Sequence, residues 1–125
     1  MFKISELANE FSISTRTIRY YEELHLLTPA RTDGNQRMYS KGDHVKLQLI
    51  LRGKRYGFTL EEIKEMVQLF ELDPSGVKQL ERTITFGEKR LNEITIRINE
   101  LSQLKNEMEN LLLEFRERVK KGEKT

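Results

Sequence analysis

The chain has 125 residues, of which 37% are hydrophobic and 34% are charged, and its formal net charge is +2. The charged fraction is above the roughly 25% that is typical of compact globular domains, which argues against a closed α/β enzyme core and indicates a long, largely solvated helix. The chain contains no cysteine, so disulfide frameworks, thiolate metal sites and cysteine catalysis are excluded.

Residues 4–24 are predicted to form a helix-turn-helix. Their first apolar residues have the spacing of one helix face: Ile4, Leu7, Ala8 and Phe11. After a turn at residues 12–14, a second helix is expected to run to about Leu24, with Ser14 or Thr15 as its N-cap and with Ile18 and Tyr21 facing inward. Two short helices joined by a turn of three or four residues are typical of this motif.

Residues 27–39 lack helical periodicity and are predicted to form a two-stranded wing. Pro29, Asp33, Gly34 and Asn35 are turn residues, and Asp-Gly is a strong signal for a β-hairpin. The strands are expected on either side of this turn, at residues 31–32 and 37–39.

Two further helices are predicted before residue 72. The first begins at about Lys41 and is expected to be closed by Gly53 and Gly57. The second begins at Thr59, where Thr-Leu-Glu-Glu has the form of a capping box with Glu62 at the third helical position. Its buried stripe is expected to comprise Ile63, Met66, Val67 and Phe70.

The last part of the chain has the heptad pattern of a coiled coil. After a linker at residues 73–79, apolar residues recur at alternating intervals of four and three over residues 80–121, and residues 122–125 are expected to form a tail. This helix would extend roughly 60 Å, and no other segment is apolar enough to cover its stripe. We therefore expect a homodimer, with dimer contacts made by Leu91, Ile94, Ile98, Leu101, Met108, Leu112 and Phe115.

The first half of the chain is basic. Residues 1–60 carry ten Lys and Arg against six Asp and Glu, whereas the remaining residues carry twelve against fourteen, which suggests that the first half meets a polyanion. Several side chains near the start of the second helix suit phosphate and base-edge contacts in a major groove: Thr15, Arg16, Thr17, Arg19 and Tyr20. The alternative is that the threonines only cap the helix and that the arginines are solvated.

Arg37 and Tyr39 lie two residues apart after the hairpin turn, so both are expected on one face of the wing. A basic and an aromatic side chain on that face suit a phosphate backbone or a minor groove. The alternative for Tyr39 is that it packs on the base of the hairpin.

The stretch ISELANEFSISTRTIRYYEELHLLTPAR, followed by RMYS and GFTLEEI, resembles the N-terminal DNA-binding domain of the MerR-type transcriptional regulators. The resemblance covers roughly residues 1–70. It implies a winged helix-turn-helix domain at residues 1–72, an antiparallel coiled-coil homodimer, and binding to a pseudo-palindrome in double-stranded promoter DNA that is bent and untwisted. RNA polymerase is then a further expected partner on the same promoter.

Carried onto this sequence, the resemblance assigns base and phosphate contacts to the five residues of the second helix and to Arg37 and Tyr39. Lys54 and Arg55 would extend the backbone contacts, unless they belong to a solvated basic turn. The chain departs from the family at His25, where glycine is usual, and His tolerates a left-handed conformation less well than glycine. The departure puts the local turn geometry in question.

No cofactor or metal is expected. The family's metal sensors bind the ion through cysteines near the end of the long helix, which this chain lacks, and His25 and His44 have no partner at ligand spacing. The large drug-binding C-terminal domain of other members is also expected to be missing. Two possibilities remain open: a small effector binds in a pocket at the dimer interface, or the protein has no effector.

Gly87 and Lys105 interrupt the apolar stripe and suggest a register. In an antiparallel dimer, a positions face d positions. If Ile98 of one chain faces Leu101 of the other, Gly87 faces Leu112 and Lys105 faces Ile94, where its ammonium can reach solvent.

The favoured function is a cytoplasmic, dimeric DNA-binding transcriptional regulator. A cytoplasmic location is expected because no apolar run approaches the roughly 18–20 residues of a membrane span and no signal peptide is recognisable. The alternative is a coiled-coil adaptor whose winged domain binds protein. An enzyme is not expected, because no catalytic constellation, phosphate-binding loop or metal motif occurs.

Overall fold

The computed structural model describes residues 1–122 of the chain. Within them, the elements are β1 Phe2–Lys3, α1 Ile4–Phe11, α2 Thr15–Glu23, β2 Ala30–Arg31, β3 Arg37–Tyr39, α3 Lys41–Tyr56, α4 Leu60–Leu72 and α5 Val77–Lys121. The expected fold class, all-α with a small β wing and a long C-terminal helix, is confirmed. Of the expected tail at 122–125, only Gly122 lies within the described residues. None of the helices described is long and apolar enough to cross a membrane.

Helices α1 and α2 form the helix-turn-helix. The turn contains Ser12, whose φ of 55° is left-handed, and the Ile13 amide donates to the Ala8 carbonyl over 3.1 Å. Ser14, rather than Thr15, is the N-cap of α2: its hydroxyl accepts a hydrogen bond of 3.1 Å from the Thr17 amide. This bond satisfies one of the amides that a helix start leaves without a partner.

The wing contains a third strand that the sequence pattern did not indicate. The antiparallel sheet has the order β1-β3-β2, with Phe2 opposite Tyr39 and Ala30 opposite Met38. At two residues, β1 is too short to show a two-residue period. Its pairing makes β3 the central strand, so one face of β3 lies over the hydrophobic core.

His25 adopts the left-handed conformation that glycine usually supplies at this position, with a φ of 61°. The His25 amide donates to the Glu22 carbonyl over 2.9 Å, and the Leu26 amide donates to the Tyr21 carbonyl over 3.0 Å. His is among the residues that tolerate this region. The substitution therefore leaves the turn after α2 in place, and Leu26 and Leu27 enter the core.

Helices α3 and α4 pack closely at Gly53, which lies against Ile63, and local caps set their ends. The predicted capping box of α4 is present: the Thr59 hydroxyl accepts from the Glu62 amide over 3.1 Å, and the Glu62 carboxylate accepts from the Thr59 amide over 2.8 Å. Helix α3 ends at Gly57 in a left-handed conformation, as expected. It runs through Gly53, however, so the prediction that Gly53 also closes the helix is wrong.

Helix α5 begins at Val77, three residues before the predicted start of the coiled-coil helix at residue 80. Asp73 explains the earlier start, because its carboxylate accepts from the amides of Ser75 and Lys78, each over 3.1 Å. Phe86 of α5 is 7% exposed and joins Leu49 and Met66 in a small apolar cluster. Residues 1–86 accordingly form one compact unit, and a second unit begins at Gly87.

Candidate nucleic-acid interface

Helix α2 presents Arg16, Arg19 and Tyr20 on one face. They lie three and four residues apart, the spacing of helical neighbours, and all three are exposed, Tyr20 by 48%. Within residues 1–122, neither arginine is part of an ion pair. Ile18 and Tyr21, on the opposite face, are buried in the core as predicted. The helix thus holds two uncompensated guanidiniums and a phenol on a rigid, solvent-facing surface.

Thr15 and Thr17 are half-buried at the start of α2. The Thr17 hydroxyl lies 2.9 Å from the Ser14 hydroxyl, with which it shares a hydrogen bond. Part of its hydrogen-bonding capacity is therefore used within the cap. Direct contact of either threonine with DNA remains a prediction.

Tyr39 does not lie on an exposed wing face, and the prediction that it contacts DNA directly is wrong. Its side chain is 0% exposed, since β3 is the central strand of the sheet and Tyr39 points into the core. The Tyr39 hydroxyl donates to the Glu22 carboxylate. Burial, together with this hydrogen bond and the negative charge of Glu22, raises the pKa of Tyr39 well above its ordinary value of 10.0. The alternative, packing at the base of the hairpin, is the arrangement found.

Arg37 also binds Glu22. Its Nε lies 2.9 Å from Glu22 Oε2, and the two side chains are 27% and 14% exposed. The same-face placement of Arg37 and Tyr39 is therefore correct, but both side chains reach a carboxylate on α2. Sequence reasoning missed Glu22, because a single acidic residue fifteen positions before Arg37 carries no local signal of this contact.

Arg31 is an exposed wing cation that was not among the predicted contacts. It pairs with Arg37 across β2 and β3, and its Nη1 donates to the Asn35 carbonyl over 3.1 Å. Asn35 closes the turn in a left-handed conformation, with a φ of 61°. In the described part of the chain, Arg31 forms no ion pair, so its charge faces solvent uncompensated.

Lys54 lies beside the recognition helix α2. Its Nζ is 5.7 Å from the centroid of the Tyr21 ring, a cation–π distance. Lys54, Tyr20 and Tyr21 line the same cavity of about 210 Å³ between α2, α3 and the start of α4. The neighbouring Arg55 lies over the Tyr56 ring instead, 5.9 Å from its centroid. The structure therefore brings Lys54 next to Tyr20 and Tyr21 of α2.

The two histidines occupy structural positions. His44 stacks on Phe2 with a centroid distance of 5.0 Å, lies 5.1 Å from the Phe11 ring, and its Nε2 contacts the Glu10 carboxylate. No group of three or more His, Cys, Asp or Glu residues within residues 1–122 is arranged to hold a metal ion.

The predicted dimer contacts are exposed along α5. Their exposed fractions run from 37% for Phe115 to 65% for Leu91. Such a long apolar stripe is unfavourable in water unless another surface covers it. The residues concerned are Leu91, Ile94, Ile98, Leu101, Met108, Leu112 and Phe115.

Two family models match the chain. The model of the MerR HTH family regulatory protein matches residues 2–69, more than half of the sequence. The model described as MerR, DNA binding, matches residues 45–111 and so includes much of α5.

Curated proteins and solved structures agree with these matches. The chain is 32% identical to the mercuric resistance operon regulatory protein of Bacillus cereus over 118 residues, which cover 94% of this chain and 84% of that protein. It is 31% identical to the HTH-type transcriptional regulator ZntR of Escherichia coli strain K12 over 112 residues, 89% of this chain and 78% of that protein.

Among solved structures, the fold is similar to that of HiNmlR, a MerR family regulator lacking the sensor domain, which was solved bound to promoter DNA. The TM-score is 0.60 at 22% identity, and the match covers 98% of this chain and 91% of that chain. The winged helix-turn-helix, the basic face of α2 and the family matches lead to one conclusion: the chain belongs to the MerR family and is a DNA-binding transcriptional regulator.

Proposed function

We propose that the protein binds promoter DNA as a homodimer, with α2 of each protomer in the major groove. Arg16, Arg19 and Tyr20 contact base edges and phosphates there, because the exposed N-terminal part of a recognition helix is the part that reaches the groove. The uncompensated pair Arg16 and Arg19 on this face is the observation that carries the proposal. The protein acts by binding and carries out no chemical step.

The backbone contacts come from Lys54 and Arg31. Lys54 stands beside Tyr20 at the edge of α2, and Arg31 extends from the wing. Both are exposed cations, and neither is part of an ion pair within residues 1–122, so a phosphate can take the place of solvent at each. Thr15 and Thr17 contribute at the start of the helix.

The partner that covers the stripe of α5 is a second copy of the chain. An antiparallel pair in which Ile98 faces the partner's Leu101 brings Leu80 opposite Val119 and Ile84 opposite Phe115. The stripe over residues 80–119 is then covered from end to end, which is the largest burial that its length allows.

Gly87 supports this register. Apart from the adjacent backbone of its own helix, a Cβ built at Gly87 meets no atom of residues 1–122 within 4 Å, so packing in this part of the chain gives no reason for a glycine there. Glycine inside a helix costs about 1 kcal/mol relative to alanine. In the proposed register Gly87 faces the partner's Leu112, which uses the space that the missing side chain leaves.

Two protomers related by a two-fold axis read a DNA site with matching symmetry. We therefore propose a pseudo-palindromic promoter element that the dimer distorts, with RNA polymerase on the same promoter. The family membership supports this proposal, as does the likeness of the fold to HiNmlR, whose structure was solved on promoter DNA.

DNA binding at increasing salt tests the proposal. The probes are a duplex that the wild-type protein recovers from a random-sequence pool and a scrambled duplex of the same length and composition. We expect tight binding to the first and a linear fall of log affinity with log salt, with a slope of about 0.9 per phosphate contacted. Failure to recover or bind any duplex at low salt would contradict it and favour the protein-binding adaptor.

A further inference from the structure

Glu22 connects the recognition helix to the wing through both of its carboxylate oxygens. Oε2 lies 2.9 Å from Arg37 Nε, and Oε1 accepts from the Tyr39 hydroxyl. The Glu22 side chain is only 14% exposed and Tyr39 is fully buried. The wing is thus attached to α2 by two charge-assisted hydrogen bonds, which are stronger than neutral ones.

The same contact changes the charge that the wing offers to DNA. A guanidinium binds carboxylate and phosphate oxygens alike, so Glu22 engages the Nε donor of Arg37 and offsets its positive charge, as a phosphate would. Arg31, directly opposite Arg37 in the β2–β3 pair, forms no ion pair in the described residues. The charge of Arg37 is therefore offset by Glu22, whereas the charge of Arg31 is uncompensated in the described residues.

The Tyr39 hydroxyl keeps Glu22 in place. Burial and the charge of Glu22 raise the pKa of Tyr39, so the hydroxyl stays protonated and continues to donate at any pH near neutrality. Glu22 Oε1 thus accepts from a tyrosine that is buried in the core, while Oε2 accepts from Arg37 Nε.

We propose that Glu22 is a positioning residue that sets the DNA specificity of this regulator: it fixes the wing relative to α2 and withholds the charge of Arg37 from the phosphate backbone. The inference rests on the proposed DNA-binding function. Non-specific affinity is largely electrostatic, whereas discrimination comes from base contacts in a fixed orientation. The Glu22 carboxylate therefore lowers the non-specific affinity and preserves the discrimination between DNA sequences.

Glu22→Gln tests this inference, with Glu23→Gln as the matched control. Glu23 is the next residue of α2, is exposed, and its replacement changes the net charge by the same amount. Affinities are measured over a salt series for the recovered duplex and its scrambled counterpart.

For Glu22→Gln we expect tighter binding to the scrambled duplex and a plot of log affinity against log salt that is steeper by about 0.9 for each Arg37 released. We also expect the affinity for the recovered duplex, relative to that for the scrambled duplex, to fall by about tenfold. For Glu23→Gln we expect the wild-type slope and ratio. Equal changes in both variants would overturn the inference, because Glu22 would then act only through net charge.

Two further variants keep the inference testable if Glu22→Gln does not fold. Arg37→Gln is expected to leave the salt slope at the wild-type value, whereas Arg31→Gln is expected to lower it by about 0.9 per site. A drop of that size in Arg37→Gln would show that Arg37 contacts a phosphate and would overturn the inference. Wild-type protein that binds no duplex would instead overturn the proposed function, and this inference with it.

Discussion

Gly53 of α3 and Ile63 of α4 are in such close contact that a Cβ on Gly53 would lie 2.8 Å from Ile63 Cγ1. Ile63 is 2% exposed and packed in the core, so it has little room to move away. The absence of a side chain at Gly53 therefore sets the distance between the two helices. Their spacing places Lys54, the next residue, beside α2.

Gly53→Ala is expected to destabilise the protein by about 1–3 kcal/mol. The free-energy cost of overpacking against Ile63 exceeds the gain in helix propensity that alanine normally brings. The measurement is the free energy of unfolding in urea. Gly42→Ala is the control: it lies in the same helix, and its added Cβ meets only the Ser40 hydroxyl, 3.5 Å away. The control is expected to be neutral or stabilising, and equal losses in both variants would rule out the packing explanation.

Two buried tyrosines should respond in opposite ways to loss of the hydroxyl. Tyr39→Phe removes a hydrogen bond to the Glu22 carboxylate and is expected to cost about 1.5–3 kcal/mol. The Tyr21 hydroxyl is buried and has no hydrogen-bond partner within residues 1–122, so Tyr21→Phe is expected to be neutral or stabilising by up to about 1 kcal/mol. The measurement is the free energy of unfolding of each variant in urea, relative to the wild type. A greater loss in Tyr21→Phe than in Tyr39→Phe would contradict it.

The start of α5 should depend on the ionisation of Asp73. Hydrogen bonds from Ser75 and from the Lys78 amide lower the pKa of Asp73 below its ordinary value of 3.8. A lowered folded-state pKa means that the ionised form stabilises the fold above the ordinary value and that this stabilisation is lost as the pH falls through the folded-state value.

Asp73→Asn is accordingly expected to be less stable than the wild type near pH 6 and equal to it in strong acid. The measurement is the difference in unfolding free energy between Asp73→Asn and the wild type as a function of pH. A difference that stayed constant throughout the acid range would show that the carboxylate charge is not involved.

The dimer register can be tested by cysteine cross-linking, since the chain has no cysteine of its own. In the proposed register Leu91 faces Met108, far from the two-fold axis. We expect a mixture of Leu91→Cys and Met108→Cys protomers to form a disulfide between unlike chains, and each variant alone to cross-link poorly, because identical positions then lie about 25 Å apart along the pair. The readout is non-reducing electrophoresis of differently tagged chains. Efficient cross-linking of Leu91→Cys with itself would indicate a parallel pair and refute the register.

Local signals predicted the elements that depend on nearby residues. The Thr59–Glu62 capping box, the Ser14 cap and the Asp33-Gly34 turn each require only a few consecutive residues, and all three are present. The apolar face of α2 also followed from spacing, because a helix period is repeated within one element.

The errors lie where contacts join distant parts of the chain. Tyr39 is buried because β1, at the start of the chain, pairs with β3 and makes it a central strand. Glu22 is a partner of Arg37 only once the wing is folded onto α2. Spacing places Arg37 and Tyr39 on one face, but it does not reveal which surface that face meets.

The central claim, that the exposed face of α2 reads DNA, is tested most directly by the affinity of Arg19→Ala for the recovered duplex. Lys120→Ala is the matched control, since it removes the same charge from the end of α5, where Lys120 is exposed outside the dimer stripe. We expect Arg19→Ala to weaken binding by about tenfold or more with the dimer intact, and Lys120→Ala to bind like the wild type. Equal affinities for Arg19→Ala and the wild type would contradict the claim.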